Sequence, residues 1–103
     1  MTLSNLLTTL KQVNGVARSS ETGEVIESVG YFDPDTLCAV AAVSAAPLNE
    51  VGDLLAAGKL ERWYFSTDNS SYYGSEGNRE RLVAVGPAVK NPEATSKALH
   101  GAR

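Results

Sequence analysis

The stretch Asp33–Gly58, DPDTLCAVAAVSAAPLNEVGDLLAAG, runs almost directly into Leu60–Thr67, LERWYFST, and these two segments decide the fold. Asp33-Pro34 is a helix start, because Asp accepts hydrogen bonds from the free amides at the N-cap and proline at the first helical position loses no bond. Leu37, Val40, Ala41, Ser44, Leu48, Val51 and Leu55 then recur on one face at helical spacing, across Pro47. That pattern predicts one long helix ending at Gly58, bent near Val43–Ser44, where Pro47 removes a hydrogen bond and crowds the carbonyl of Val43. A break into two helices at Pro47 is the alternative. Leu60–Thr67 reads as a strand: Trp63, Tyr64 and Phe65 are β-favouring aromatics. Leu60, Arg62, Tyr64 and Ser66 share one face, and Glu61, Trp63, Phe65 and Thr67 the other.

Working outward, Leu3, Leu6, Leu7, Leu10 and Val13 form a one-sided helical stripe, with Thr8, Thr9, Lys11 and Gln12 opposite and Asn14-Gly15 as a left-handed cap. Val16–Ser20 and Glu24–Val29 flank Glu21-Thr22-Gly23, a hairpin in which Gly23 takes a positive φ. The first of these strands is polar, with Arg18, Ser19 and Ser20. Beyond the aromatic strand, Asp68-Asn69-Ser70 turns into Ser71–Ser75, and Gly77-Asn78 turns into Arg79–Val85. Asn91-Pro92 repeats the cap-plus-proline device and opens a short helix carrying Ala94, Ala98 and Leu99. The order is α-β-β-α-β-β-β-α, without internal repeat or linker, so residues 1–103 read as a single domain.

Nine Lys+Arg against twelve Asp+Glu give a net charge of −3, read as interspersed signs. That excludes a basic stripe for nucleic acid and a polybasic membrane anchor. The longest apolar run, around Leu37–Val43, is too short to span a bilayer, so no membrane insertion is expected. Met1-Thr2-Leu3-Ser4 has no signal-peptide character. Cys38 is the only cysteine, which suits a reducing compartment and a cytoplasmic protein.

No cluster reads as catalytic, as cofactor-binding or as metal-ligating. His100, the only histidine, sits near the chain end and reads as an exposed helix-end residue. Cys38 lacks a neighbouring base and reads as a packing residue, or as a contact with its symmetry mate should the long helix lie at a dimer interface. Gly74-Ser75-Glu76-Gly77 lacks the ending of a phosphate loop. Pairs such as Asp33/Asp35 and Glu50/Asp53 read as caps and surface charge.

Two features exceed that reading. Ala39, Ala42 and Ala46 lie at helical spacing beside the Leu/Val stripe, where small side chains let a second helix approach; alanine's helix propensity alone is the competing explanation. The Trp63-Tyr64-Phe65 strand is apolar on both faces, opens a meander and follows a crossover, which suits a sheet edge. Pairing with the same strand of a second copy would cover that edge; filling the core is the other reading. Cys38, Ala39, Ala42, Ala46, Leu60, Arg62, Trp63, Tyr64 and Phe65 are therefore the candidate dimer and partner surface.

Three stretches carry a resemblance: Leu6-Leu7…Leu10…Val13-Asn14-Gly15-Val16, Thr22-Gly23-Glu24-Val25-Ile26, and Asp33-Pro34-Asp35-Thr36-Leu37 opening the Ala-rich helix. Leu54-Leu55…Gly58-Lys59-Leu60-Glu61 and Arg81-Leu82-Val83-Ala84-Val85 complete it. In order and spacing, over roughly residues 3–99, the chain resembles the roadblock/LC7 family. The resemblance implies a profilin/longin-like α/β/α sandwich of class α+β: a five-stranded antiparallel sheet, the long helix on one face, the two terminal helices on the other. It also implies a homodimer made by third-strand pairing and long-helix packing. Family members are non-enzymatic scaffolds or regulators of Ras-like small GTPases. A small-molecule sensor of profilin-like or PAS-like shape, with Tyr72 and Tyr73 lining a pocket, is the alternative. The polar first strand, Pro47 and the short last helix depart from the family's pattern.

Overall fold

Asp33 caps the long helix as its chemistry requires. Its Oδ1 accepts the Thr36 N–H at 3.2 Å and its Oδ2 accepts the Thr36 hydroxyl at 2.6 Å, in a computed structural model that describes residues 2–10, 12–77 and 79–102. The elements are α1 (Leu3–Thr9), β1 (Gly15–Ser20), β2 (Val25–Gly30), α2 (Pro34–Leu54), β3 (Arg62–Ser66), β4 (Ser70–Glu76), β5 (Glu80–Pro87) and α3 (Pro92–Gly101). Lys11 and Asn78, assigned above to the polar face of the first helix and to the turn before the last strand, lie outside the described residues.

The five strands form one antiparallel sheet in the order β2-β1-β5-β4-β3. The polar first strand is thus a central one. Val16 and Ala17 are fully buried on opposite faces, and Ser19 is small enough to be buried beneath α2. On one face α1 and α3 cover the larger core, in which Leu3, Leu6, Leu10 and Val13 meet Val16, Tyr73, Leu82, Ala84 and Leu99. On the other face α2 closes a smaller core of Cys38, Ala41, Ala17 and Val83. Aliphatic burial of this kind stabilises by about 25 cal/mol per Å² of apolar surface.

Several boundaries differ from expectation. α1 stops at Thr9, not at Asn14-Gly15, and neither of those residues is left-handed; Leu10 and Val13 still reach the core from the connecting segment. Gly15 instead begins β1, where the ring of Phe32 occupies the space a Cβ would need. The expected left-handed residue at Gly23 is present, with φ 94°. α2 is one helix through Pro47 and ends at Leu54, short of Gly58. Arg79 is a turn residue with φ 71°, not part of β5. In α3 the buried positions are Thr95, Ser96 and Leu99, while Ala94 and Ala98 face solvent.

By length and composition alone α2 could cross a bilayer, with 21 residues and mean hydropathy 1.2. Its cap, its packing on the sheet and the Asn49 Oδ1 that accepts the Leu60 N–H at 2.9 Å make it a layer of this fold instead.

Candidate interaction surface

α2 turns its small side chains to the sheet. Of its residues only Cys38, Ala41 and Ala45 are buried. The large members of the Leu/Val stripe, Val40, Leu48, Val51 and Leu55, are exposed, as are Val43 and Leu54, the last at 85%. Small side chains bring the helix axis close to Ala17 and Val83, and the bulky stripe is rotated onto the flank that overlooks β3 and β4. The opposite flank packs on the β1–β2 turn, where the Cα of Ala39 and the Cβ of Ala42 both lie 3.1 Å from where a Cβ on Gly23 would be. The Ala39/Ala42 side thus accommodates a hairpin of the same chain; Ala42 is half-buried there, and Ala39 and Ala46 are exposed.

α2 covers β2, β1 and β5 and leaves the outer half of the same face open. The result is a groove of about 610 Å³ between the α2 flank (Leu37, Val40, Ser44) and the floor of Trp63, Phe65 and Tyr72. Phe65 and Tyr72 lie with ring centroids 6.1 Å apart, tilted by 33°. Phe65 is 60% exposed. Tyr73, expected beside Tyr72, is buried in the core under α3 and does not line the groove.

Trp63 fixes the floor. Its indole lies across Gly74, whose missing Cβ leaves the room, and its Nε1 donates to Glu76 Oε2 at 3.1 Å. The same carboxylate oxygen accepts Arg81 Nε at 2.7 Å in an ion pair that is about nine-tenths buried. Arg81 Nη1 is buried without a partner. Cys38 is buried against the same region, and desolvation pushes its thiol pKa up, opposed by the Ser19 hydrogen bond and the Arg81 charge. Cys38 is therefore a packing residue and offers no surface to a partner.

β3 is the sheet edge, as its composition suggested. Glu76 N–H donates to Glu61 and Thr67 N–H to Ser70, so residues 61, 63, 65 and 67 bond inward to β4. By antiparallel alternation the N–H and C=O of Arg62, Tyr64 and Ser66 point out from the open edge. Leu60 N–H is taken by Asn49. The Arg62 side chain is drawn toward α3, with Nη2 3.7 Å from Glu93 and Nη1 3.4 Å from the Ser96 hydroxyl. Tyr64, on that same face, stays exposed. Of the nine candidate residues, Leu60, Arg62, Trp63, Tyr64 and Phe65 lie along this edge, Ala39 and Ala42 on the far flank of α2, and Ala46 on its exposed surface.

Sequence reasoning missed three things. His100 is half-buried, its Nδ1 2.7 Å from the Ser75 hydroxyl, rather than a free helix end. The apolar flank of α2 is legible as a stripe, but nothing in its spacing signals that Val40, Leu48, Val51 and Leu55 are exposed. The charges are not interspersed: residues 19–58 hold seven of the twelve acids and none of the nine Lys+Arg. Among the described residues no group of His, Cys, Asp and Glu is placed to hold a metal ion.

Comparison with known proteins gives the class of fold. No family model and no curated protein matches the sequence. Solved structures do. A roadblock/LC7 domain from Streptomyces avermitilis superposes with TM-score 0.81 at 15% identity, covering 93% of this chain and 83% of that one. An MglB structure described as having a tetrameric arrangement gives TM-score 0.79 at 22% identity, with 98% and 77% covered. Schizosaccharomyces pombe profilin gives 0.67 at 15% identity, with 97% and 89% covered. The chain has the roadblock/LC7 fold, an α+β architecture shared with profilin.

Proposed function

We propose that this chain is a non-enzymatic, cytoplasmic interaction module. It forms a homodimer through the β3 edge and the groove-side flank of α2, and in that form regulates or scaffolds a Ras-like small GTPase. The carrying observation is adjacency: an unpaired strand edge lies beside an uncovered apolar helix flank and an aromatic groove. An apolar patch of this kind is an interaction site or a liability. A second copy pairing at β3 would satisfy the outward backbone groups of Arg62, Tyr64 and Ser66 and bring its own α2 over the groove. The likeness to an MglB of tetrameric arrangement supports self-association, and the roadblock resemblance supports the GTPase.

The test of the GTPase assignment is a titration of this protein against Ras-like GTPases loaded with fluorescent GDP or with a non-hydrolysable fluorescent GTP analogue. Saturable binding that depends on the nucleotide is expected. Absence of binding in both states would remove the GTPase reading and leave the self-association reading standing.

One observation favours a second reading, the small-molecule sensor: the groove is aromatic-floored and of ligand size. A ligand held only by the native state raises Tm. A compound screen giving no shift for the wild type, and none for a monomeric variant with the groove uncovered, would dismiss it.

A further inference from the structure

The sheet has a second open edge, β2, on the side of the molecule away from β3. We propose that this edge docks an extended, Lys/Arg-bearing segment of a partner protein, which adds to the sheet as a further strand. The surface is distinct from the self-association surface proposed above and does not depend on it.

Three observations carry the assignment. The first is the edge itself. Tyr31 N–H donates to Asn14, and β2 pairs with β1 in the register Gly15↔Gly30, Val16↔Val29, Ala17↔Ser28 and Arg18↔Glu27. Alternation from that bond leaves the N–H and C=O of Ser28 and Gly30 pointing outward. Neither helix layer closes over them, since Ser28 and Gly30 are both exposed.

The second is the presence of anchors at both ends of the edge. The register slips between Arg18 and Ser19, so Ile26 is the extra residue of a bulge and its side chain is turned out, 48% exposed. Tyr31, immediately after the strand, is 97% exposed. Tyrosine and large aliphatic side chains presented this way suit alternate positions of an added strand.

The third is charge. Glu27 lies in β2, Glu21 and Glu24 in the connection that leads into it, and Asp35 in the first turn of the helix that follows, within a 40-residue stretch, residues 19–58, that has no cation. Arg18, which faces Glu27 from β1, is already held by Glu27 and Glu80, each at 3.6 Å. Two β2 edges brought together would oppose acid to acid, which disfavours a second copy and selects a cationic strand. Electrostatic complementarity of this kind sets partner choice and encounter rate.

The test uses ¹⁵N-labelled protein and two acetylated, amidated pentapeptides, one alternating lysine and valine, the other glutamate and valine. The lysine peptide is expected to shift the amides of Ile26, Ser28, Gly30 and Tyr31, to slow hydrogen exchange at Ser28 and Gly30, and to weaken with salt. Ser28→Pro deletes one outward donor and weakens binding by about tenfold. Glu24→Lys with Asp35→Lys abolishes it while Tm and far-UV circular dichroism stay native, which guards against Ser28→Pro acting through misfolding. Shifts confined to β3, equal response to the glutamate peptide, or no shift at Ser28 and Gly30 would overturn the proposal. Line broadening at those amides on concentrating the protein alone would assign the edge to a second copy and equally overturn it.

Discussion

Glu76 is the residue on which the groove floor turns. Its Oε2 accepts from both Trp63 Nε1 and Arg81 Nε, and Arg81 already has one buried nitrogen without a partner. Removing the charge leaves a buried guanidinium uncompensated, which typically costs about 3–5 kcal/mol. Glu76→Gln should therefore lower the urea midpoint sharply and alter the emission of Trp63, the only tryptophan; unchanged emission and midpoint would contradict the network. Asp33 supplies a pH dependence. Its hydrogen bonds to Thr36, the side-chain one foremost, hold its pKa below the ordinary carboxylate value. A depressed folded pKa contributes stability that is present above the unfolded value and is lost as pH falls through the folded one. Thermal melts should thus show a decline below the ordinary carboxylate range that Asp33→Asn, which keeps a cap, reduces. Caps and strand aromatics were legible because they act within three or four residues. The Ser75–His100 contact was not, because 25 residues separate its members and only the fold joins β4 to α3.

At the scale of elements, α2 shows where periodicity informs and where it misleads. Spacing located the helix and its start, and Pro47 did not split it. The same spacing does not tell which face is buried: hydropathy ranks Leu and Val above Ala and Cys, while close approach to the sheet selects the smaller Cys38, Ala41 and Ala45. Pro47 is exposed and lies away from Cys38, Ala41 and Ala45. Proline in a helix interior costs roughly 3 kcal/mol against alanine. Pro47→Ala should raise Tm and leave the sheet cores unchanged, as read by calorimetry and by Trp63 emission; a fall in Tm would mean that proline at this position is needed to seat Asn49 against Leu60. β1, polar in sequence, is an interior strand of the sheet. Ser19 is the small residue that fits beneath α2, and Arg18 faces the other side, where Glu27 and Glu80 meet it.

On the scale of the whole molecule, the fold sorts surface by kind. The β3 side presents an open edge, aromatic side chains and the apolar flank of α2; the β2 side presents an open edge within a cation-free stretch. Order and spacing along the chain gave the element sequence, and the resemblance they carry implied the layered sheet. Of the sorting only the β3 edge was legible; the rest depends on the rotation of α2 about its own axis and on β2 ending up outermost at the other side. Self-association through β3 is the central claim, and the solution mass across a dilution series by multi-angle light scattering tests it most directly. The wild type should hold twice the chain mass at low micromolar concentration. Tyr64→Pro, which deletes an outward edge donor at a position where proline is tolerated, and Val51→Asp, which charges the exposed flank, should each shift it to the monomer with the fold intact. A wild-type monomer at every concentration, or a dimer indifferent to both substitutions, would contradict the account.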